Sequence, residues 1–127
     1  MFKFKIWLSL ENKMISFDQI ISSNINILNN ITNIYLLYTG INDNNKKEIY
    51  KGDIVIYDAS LLKDDVVIAE VDYITDLTLA STIGFGLWVL KSKTNHNGYI
   101  PMSMGGYKII GNIYENNVKD LLNTYQF

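Results

Sequence analysis

The chain has 127 residues, of which 48% are hydrophobic and 19% are charged, a composition typical of a single globular domain spanning 1–127. It contains no cysteine, which excludes disulfides, thiol chemistry and cysteine-based zinc sites. All 11 basic residues are lysine and the net charge is -2, so the chain lacks both the arginine fork that reads guanine and the basic surface that binds duplex DNA.

The N-terminal residues alternate with a period of two, which predicts a β-strand. Phe2, Phe4 and Ile6 would share one face of it. A turn at Glu11-Asn12 and a short return strand over 14–17 would follow.

Residues 18–33 carry two competing patterns. Some of their apolar residues fit one helix face, while Ile25 and Ile27 alternate with asparagine as in a strand. Because asparagine is a poor helix former, the sequence favours extended or irregular structure for this segment.

A strand over 34–38 would end at Thr39-Gly40 and lead into a polar loop over 41–47. The next strand, 54–57, is preceded by Gly52-Asp53. In that position a glycine relaxes a tight bend and an aspartate bonds nearby backbone amides.

Two further strands are indicated, one around 67–73 with alternating apolar residues and a bulky one over 85–90. Asn97-Gly98 predicts a tight hairpin that pairs Leu87–Lys93 with Tyr99–Met102. The only proline, Pro101, places the return strand near a sheet edge.

The chain would finish with a turn, a strand and a helix. Gly105-Gly106 predicts a turn into a strand over 107–110. Asn116 would then cap a short helix carrying Val118, Leu121 and Leu122.

Three segments carry a resemblance to a known family: Tyr38-Thr39-Gly40, Glu48–Val55 and Tyr107–Asn116. Together with Phe4–Trp7 and Lys13-Met14, they resemble the YopX family of small phage and prophage proteins. The resemblance spans nearly the whole chain. It implies an SH3-like barrel with additions and a phage-encoded protein, for a family whose biochemical role is not established.

The predicted fold class is therefore mainly β: an SH3-like small barrel with added N-terminal strands and a short C-terminal helix. Trp7 matches a tryptophan of the family and is expected in the core or an interface. Lys46 stands where the family usually has glycine, which weakens the expectation that loop 41–47 keeps the family's turn.

No segment has the pattern of an export signal or a membrane anchor. The alternating start is unlike the continuous apolar stretch of a signal peptide. No run of residues approaches the roughly 20 apolar positions that cross a membrane. We therefore expect no membrane partner and a location in the host cytoplasm.

The sequence does not favour an enzyme. His96 is the only histidine, lies in the predicted hairpin tip and has no nucleophile motif to act on. Glu70 and Asp72 share a strand face within an acidic stretch over 64–76, and paired carboxylates could hold Mg²⁺. No signature spacing supports this, so a solvated acidic face without metal or cofactor is favoured, although the question of a metal stays open.

The aromatic content, 13% of the chain, suggests a ligand platform. A base could stack on aromatic rings while lysine holds its phosphate. The alternative is that these aromatics fill the barrel core. The candidate ligand-binding residues, taken to lie on adjacent strands and in one hairpin, are Trp88, Lys91, Lys93, His96, Tyr99 and Tyr107.

These observations favour a non-enzymatic phage protein that counteracts host defence, either by sequestering a nucleotide-type messenger or by blocking a host protein. Exposed strand edges and surplus aromatics also predict a homo-oligomer. The alternative function is a nucleic-acid-associated accessory module in phage replication or transcription, which the missing arginine and the acidic balance disfavour.

Overall fold

A computed structural model describes residues 3–22, 33–59, 65–74, 84–103 and 105–127. Within these ranges the chain forms two antiparallel sheets and two short helices. The first sheet has the strand order β2-β1-β3-β4 and the second the order β8-β7-β6-β5-β9. The elements are β1 Phe4–Leu8, β2 Lys13–Ile15, α1 Phe17–Ser22, β3 Asn33–Asn42, β4 Glu48–Tyr50, β5 Asp53–Ala59, β6 Asp65–Ile74, β7 Gly84–Ser92, β8 Tyr99–Pro101, β9 Tyr107–Asn112 and α2 Val118–Thr124.

The predicted N-terminal strand is confirmed over 4–8, while Phe2 lies outside the described residues. Ile6 pairs with Ile15 on one side and Tyr35 on the other, and its face forms a small core under α1. Trp7 points to the opposite face, is buried at 8% exposure and lies 5.6 Å from the ring of Tyr114. The expectation that Trp7 is a core or interface residue is therefore confirmed.

The prediction of extended or irregular structure for 18–33 is wrong at its start, where α1 extends to Ser22, and residues 23–32 lie outside the described part of the chain. A capping box begins the helix. The Ser16 backbone N–H donates to the Gln19 side chain (2.9 Å), and the Ser16 hydroxyl accepts from the Gln19 backbone N–H (3.3 Å). The Ser-x-x-Gln spacing was therefore the relevant signal, and the return strand ends at Ile15 rather than at Phe17.

The second sheet holds the main core and curls into a half-barrel, which confirms the predicted fold class. Val55, Ala69 and Val89 lie side by side on its concave face, because directly paired residues project to the same side. Tyr107 stacks on Tyr57 at 4.8 Å within this core and has no exposed surface.

The turn from β4 into β5 follows the prediction. Gly52 has a φ of 91°, which glycine adopts without strain. A carboxylate oxygen of Asp53 accepts the Tyr50 N–H at 2.8 Å. The Gly52 N–H donates to the Val71 carbonyl (2.8 Å), and its own carbonyl accepts from Ile113 (2.9 Å), so this turn joins distant parts of the second sheet.

The β7–β8 hairpin is confirmed, with Trp88 opposite Tyr99. The connection spans 93–98. Gly98 has the positive φ that the Asn97-Gly98 signal suggested (88°), whereas the other left-handed residue is Asn95 (φ 63°) rather than Asn97. Pro101 lies on β8, which is an edge strand as expected.

The C-terminal helix is confirmed with its cap moved by one residue. Asn117 is the N-cap, and its side chain accepts the Asp120 N–H at 3.1 Å. Asn116 instead accepts the Asn112 N–H at 3.0 Å. Neither helix of the described residues is long and apolar enough to cross a membrane.

Candidate functional site

A cleft of about 660 Å³ opens where the edge of the first sheet meets the second. The first sheet contributes residues from β1, β3 and β4, and the second contributes residues from β5 and β9. A volume of this size lies within the range of small-molecule sites. The lining residues are Lys5, Asn42, Lys46, Lys47, Glu48, Tyr50, Asp53, Ile109, Gly111 and Asn112.

Tyr50 contributes an aromatic ring to the cleft. Its residue surface is 3% exposed, and the Lys5 ammonium lies 4.5 Å from its ring centroid. The Tyr38 ring packs beside it at 5.5 Å, and the Tyr50 hydroxyl donates to Glu48 at 3.1 Å. Burial raises the pKa of the Tyr50 phenol above its usual range, and the hydrogen bond to Glu48 raises it further. The ring is therefore a fixed, neutral surface.

The charge of Glu48 is already neutralised by a neighbouring cation. Its second carboxylate oxygen lies 2.9 Å from the Lys3 ammonium. This hydrogen bond lowers the pKa of Glu48 and raises that of Lys3. Lys3 itself does not line the cleft, so the pair leaves the amines of the cleft available.

A tight turn at 43–47 places two further lysines at the cleft. Asp43 accepts the backbone N–H groups of Asn45 (2.8 Å), Lys47 (2.9 Å) and Ile109 (3.2 Å). Burial alone would raise the pKa of Asp43, but these amides lower it overall. The turn is thus built around one buried carboxylate that also ties it to β9.

Lys46 keeps a left-handed backbone, with a φ of 64°, although it is not glycine. Lys46 therefore adopts a conformation that glycine would take without strain. Lys46 and Lys47 are both exposed, and among the described residues neither forms an ion pair. Their ammonium groups can therefore meet a ligand without breaking an internal contact.

Asp53 lies at the back of the cleft and is 7% exposed. Burial raises the pKa of its carboxyl to about 6, although the hydrogen bond from Tyr50 and the attraction of Lys5 both act to lower it. The cleft therefore brings together three lysines and two carboxylates, one of which is paired outside it. The arrangement suits an anionic ligand.

Two of the predicted site residues lie together elsewhere. The rings of Trp88 and Tyr99 are 4.6 Å apart, and Trp88 is 41% exposed. Tyr107 does not join them, and the expectation of adjacent strands is wrong for this residue. It lies on β9 at the opposite edge of the sheet from β8, and its ring is buried in the core because β9 pairs with β5.

The three polar residues of the predicted site, Lys91, Lys93 and His96, do not form a phosphate-binding site beside Trp88 and Tyr99. The Lys91 ammonium donates to the carbonyls of Leu122 (3.3 Å) and Tyr125 at the end of α2. His96 is partly buried and, with Lys91, lines a separate groove of about 440 Å³ that excludes Trp88 and Tyr99. Lys93 is exposed in the connecting loop.

The acidic residues share the face of the aromatic pair. Glu70 is paired directly with Trp88, and the Tyr99 hydroxyl donates to Asp72 at 3.5 Å. Within the described ranges no three histidine, aspartate or glutamate side chains are grouped to hold a metal. Asp64 and Asp76 lie outside those ranges.

Sequence reasoning did not identify the cleft. Five strands and one turn bring its residues together from positions 5 to 112, and such long-range packing leaves no local pattern. One signal was present. Most of the lining residues fall in the segments that carry the family resemblance, including Lys5, Tyr50 and Asp53.

Comparison with known proteins agrees with this architecture. The family model described as "YopX protein" matches residues 5–119. A solved structure, that of protein EF1440 from Enterococcus faecalis, superposes with a TM-score of 0.51 at 20% sequence identity. The match covers 91% of this chain and 95% of EF1440, and at this identity it shows a shared fold. No curated protein matches the chain.

Proposed function

The chain belongs to the YopX family, which it matches over 5–119, and from that premise we propose that it is a phage-encoded, non-enzymatic binding protein. Its ligand is an anionic, ring-bearing molecule of the nucleotide type, held in the cleft between the sheets. In the host cytoplasm such a protein would counteract host defence by sequestering a nucleotide messenger.

The observation that carries the proposal is the placement of an aromatic ring beside several amines. The Tyr50 ring carries the Lys5 ammonium 4.5 Å from its centroid, and Lys46 and Lys47 line the same cleft without internal ion pairs among the described residues. A phosphate would replace water around these amines. The Tyr50 ring, 3% exposed, would border the ligand rather than stack on it.

The same residues favour the binding of a ligand over its chemical conversion. The hydroxyl in the cleft is the Tyr50 phenol, whose raised pKa keeps it protonated and weakly nucleophilic at neutral pH. The Asp53 carboxylate is held by the Tyr50 amide at 2.8 Å and is almost wholly buried. A pKa near 6 would suit a general acid or base, but only 7% of the Asp53 surface is open, which leaves little of the carboxylate for a substrate to reach.

The proposal is tested by equilibrium dialysis with cyclic di-AMP and AMP as probes. Replacing both Lys46 and Lys47 by alanine should weaken binding by at least about tenfold, since each removes a charge contact. Lys108→Ala with Lys119→Ala is the matched control, because it removes the same two charges from exposed positions that do not line the cleft. Equal losses in the two variants, or no binding of either probe, would refute the site.

A complementary measurement uses protein recovered from phage-challenged bacteria. Native mass spectrometry would report its assembly state and any small molecule that it carries. We expect a nucleotide at fixed stoichiometry, released on denaturation. If single-stranded oligonucleotides instead bind better than dinucleotides, with affinity falling steeply with salt, the accessory role in phage replication or transcription is the better account.

A further inference from the structure

Trp88 and Tyr99 form an exposed aromatic pair on the convex face of the second sheet. Their rings are 4.6 Å apart, and 41% of the Trp88 surface is open to solvent. The other tryptophan of the chain, Trp7, is 8% exposed, so the fold can bury such a side chain. Exposed tryptophan and tyrosine are the residues that most often anchor protein partners.

Two carboxylates lie beside this pair on the same face. Trp88 is directly opposite Tyr99 on one neighbouring strand and Glu70 on the other. Asp72 pairs with Gly86, which has no side chain. The Tyr99 hydroxyl, on the strand beyond Gly86, donates to the Asp72 carboxylate at 3.5 Å. The sheet register therefore places two rings and two acids in one continuous patch.

The carboxylates of this patch are poorly compensated. Glu70 forms no hydrogen bond or ion pair with any other described residue, and burial together with Asp72 raises its pKa. Lys51 forms an ion pair with Asp72 at 3.9 Å and also attracts Glu70, so one lysine faces two carboxylates. A cation added here would relieve repulsion between two like charges as well as contact an aromatic face.

We propose that Trp88, Tyr99, Glu70 and Asp72, here called the aromatic–acidic patch, form a docking surface for a lysine- or arginine-bearing segment of a partner protein. The ammonium or guanidinium packs on the Trp88 ring while Glu70 and Asp72 balance its charge. The charge of the patch selects this occupant, because an anionic or purely apolar segment would leave Glu70 without a partner among the described residues. The patch is separate from the cleft, since none of its four residues lines it.

The test is an NMR titration of the two tryptophan indole N–H signals with a six-residue peptide of alternating arginine and glycine. We expect a saturable shift of the Trp88 signal and none of the buried Trp7 signal. Replacing Glu70 by Gln together with Asp72 by Asn should weaken binding about tenfold. The matched control, Asp58→Asn with Asp120→Asn, removes the same charge from exposed positions outside the patch and should bind as the parent does.

Three outcomes would overturn the proposal. The first is equal weakening in the two double variants, which would show attraction by overall charge alone. The second is tight binding of a peptide of alternating glutamate and glycine. The third is a Trp88-dependent dimer in sedimentation velocity that the cationic peptide does not dissociate, which would make a second copy of this chain the occupant.

Discussion

Lys46 serves the cleft at a cost to its own backbone. Its φ of 64° lies in the left-handed region, where a residue with a Cβ atom is strained by about 1 kcal/mol, and the hydrogen bonds of Asp43 hold it there. The ammonium of the same residue lines the cleft and forms no ion pair within the described part of the chain. Lys46 thus combines a strained backbone with a positive charge that is available to a ligand.

Two substitutions separate these effects. Lys46→Gly should raise the free energy of unfolding by about 1 kcal/mol, because glycine adopts this conformation freely, while Lys46→Ala should leave it nearly unchanged. Both remove the same charge and should weaken nucleotide binding equally. Chemical denaturation and equilibrium dialysis measure the two quantities, and a stabilising Lys46→Ala would contradict the account of strain.

Among the elements, the turn between β4 and β5 depends most on a glycine. Gly52 combines a φ of 91° with close packing, since a Cβ atom there would lie 2.8 Å from the Tyr114 ring. Both of its backbone groups are bonded to other parts of the second sheet. The adjoining Tyr50 and Asp53 belong to the cleft, so this turn positions the site.

We expect Gly52→Ala to destabilise the protein by about 3 kcal/mol, the sum of backbone strain and a steric clash. Gly98→Ala is the control, because Gly98 has a similar φ of 88° but nothing within 4 Å of an added Cβ. It should cost only about 1 kcal/mol. Thermal unfolding of both variants tests this difference, and equal losses would show that the Tyr114 ring yields freely.

Local sequence patterns predicted the individual strands and turns better than they predicted which strands pair with one another. The alternation of residues 4–8 and the Gly52-Asp53 turn are readable because each is decided by a few adjacent residues. Tyr107 was misplaced because its strand pairs with β5, over 50 positions earlier, rather than with the preceding hairpin. The helix at Phe17–Ser22 was missed because the prediction relied on asparagine content and did not use the Ser16–Gln19 capping box.

At the scale of the whole molecule, the seam between the sheets encloses a carboxylate whose ionisation opposes folding. Burial raises the folded-state pKa of Asp53 to about 6 from an ordinary value of 3.8. The folded protein therefore binds this proton more tightly than the unfolded chain does. The resulting stability is fully present below pH 3.8 and is lost as the pH rises through about 6.

This linkage predicts that raising the pH from 4 to 7 removes about 2 kcal/mol of stability through Asp53. Asp53→Asn keeps an oxygen for the Tyr50 N–H but cannot ionise, so its unfolding free energy should lack this decline. Denaturation at several pH values compares the two proteins. Parallel pH profiles would show that Asp53 titrates normally.

The cleft takes its walls from Lys5 near one end of the chain and Asn112 near the other. During synthesis Lys5 leaves the ribosome long before Asn112. A nascent chain that has not yet reached β9 therefore lacks one wall of the cleft. Contacts this distant in sequence also form late and slow folding. The cleft is therefore complete only once β9 has joined β5.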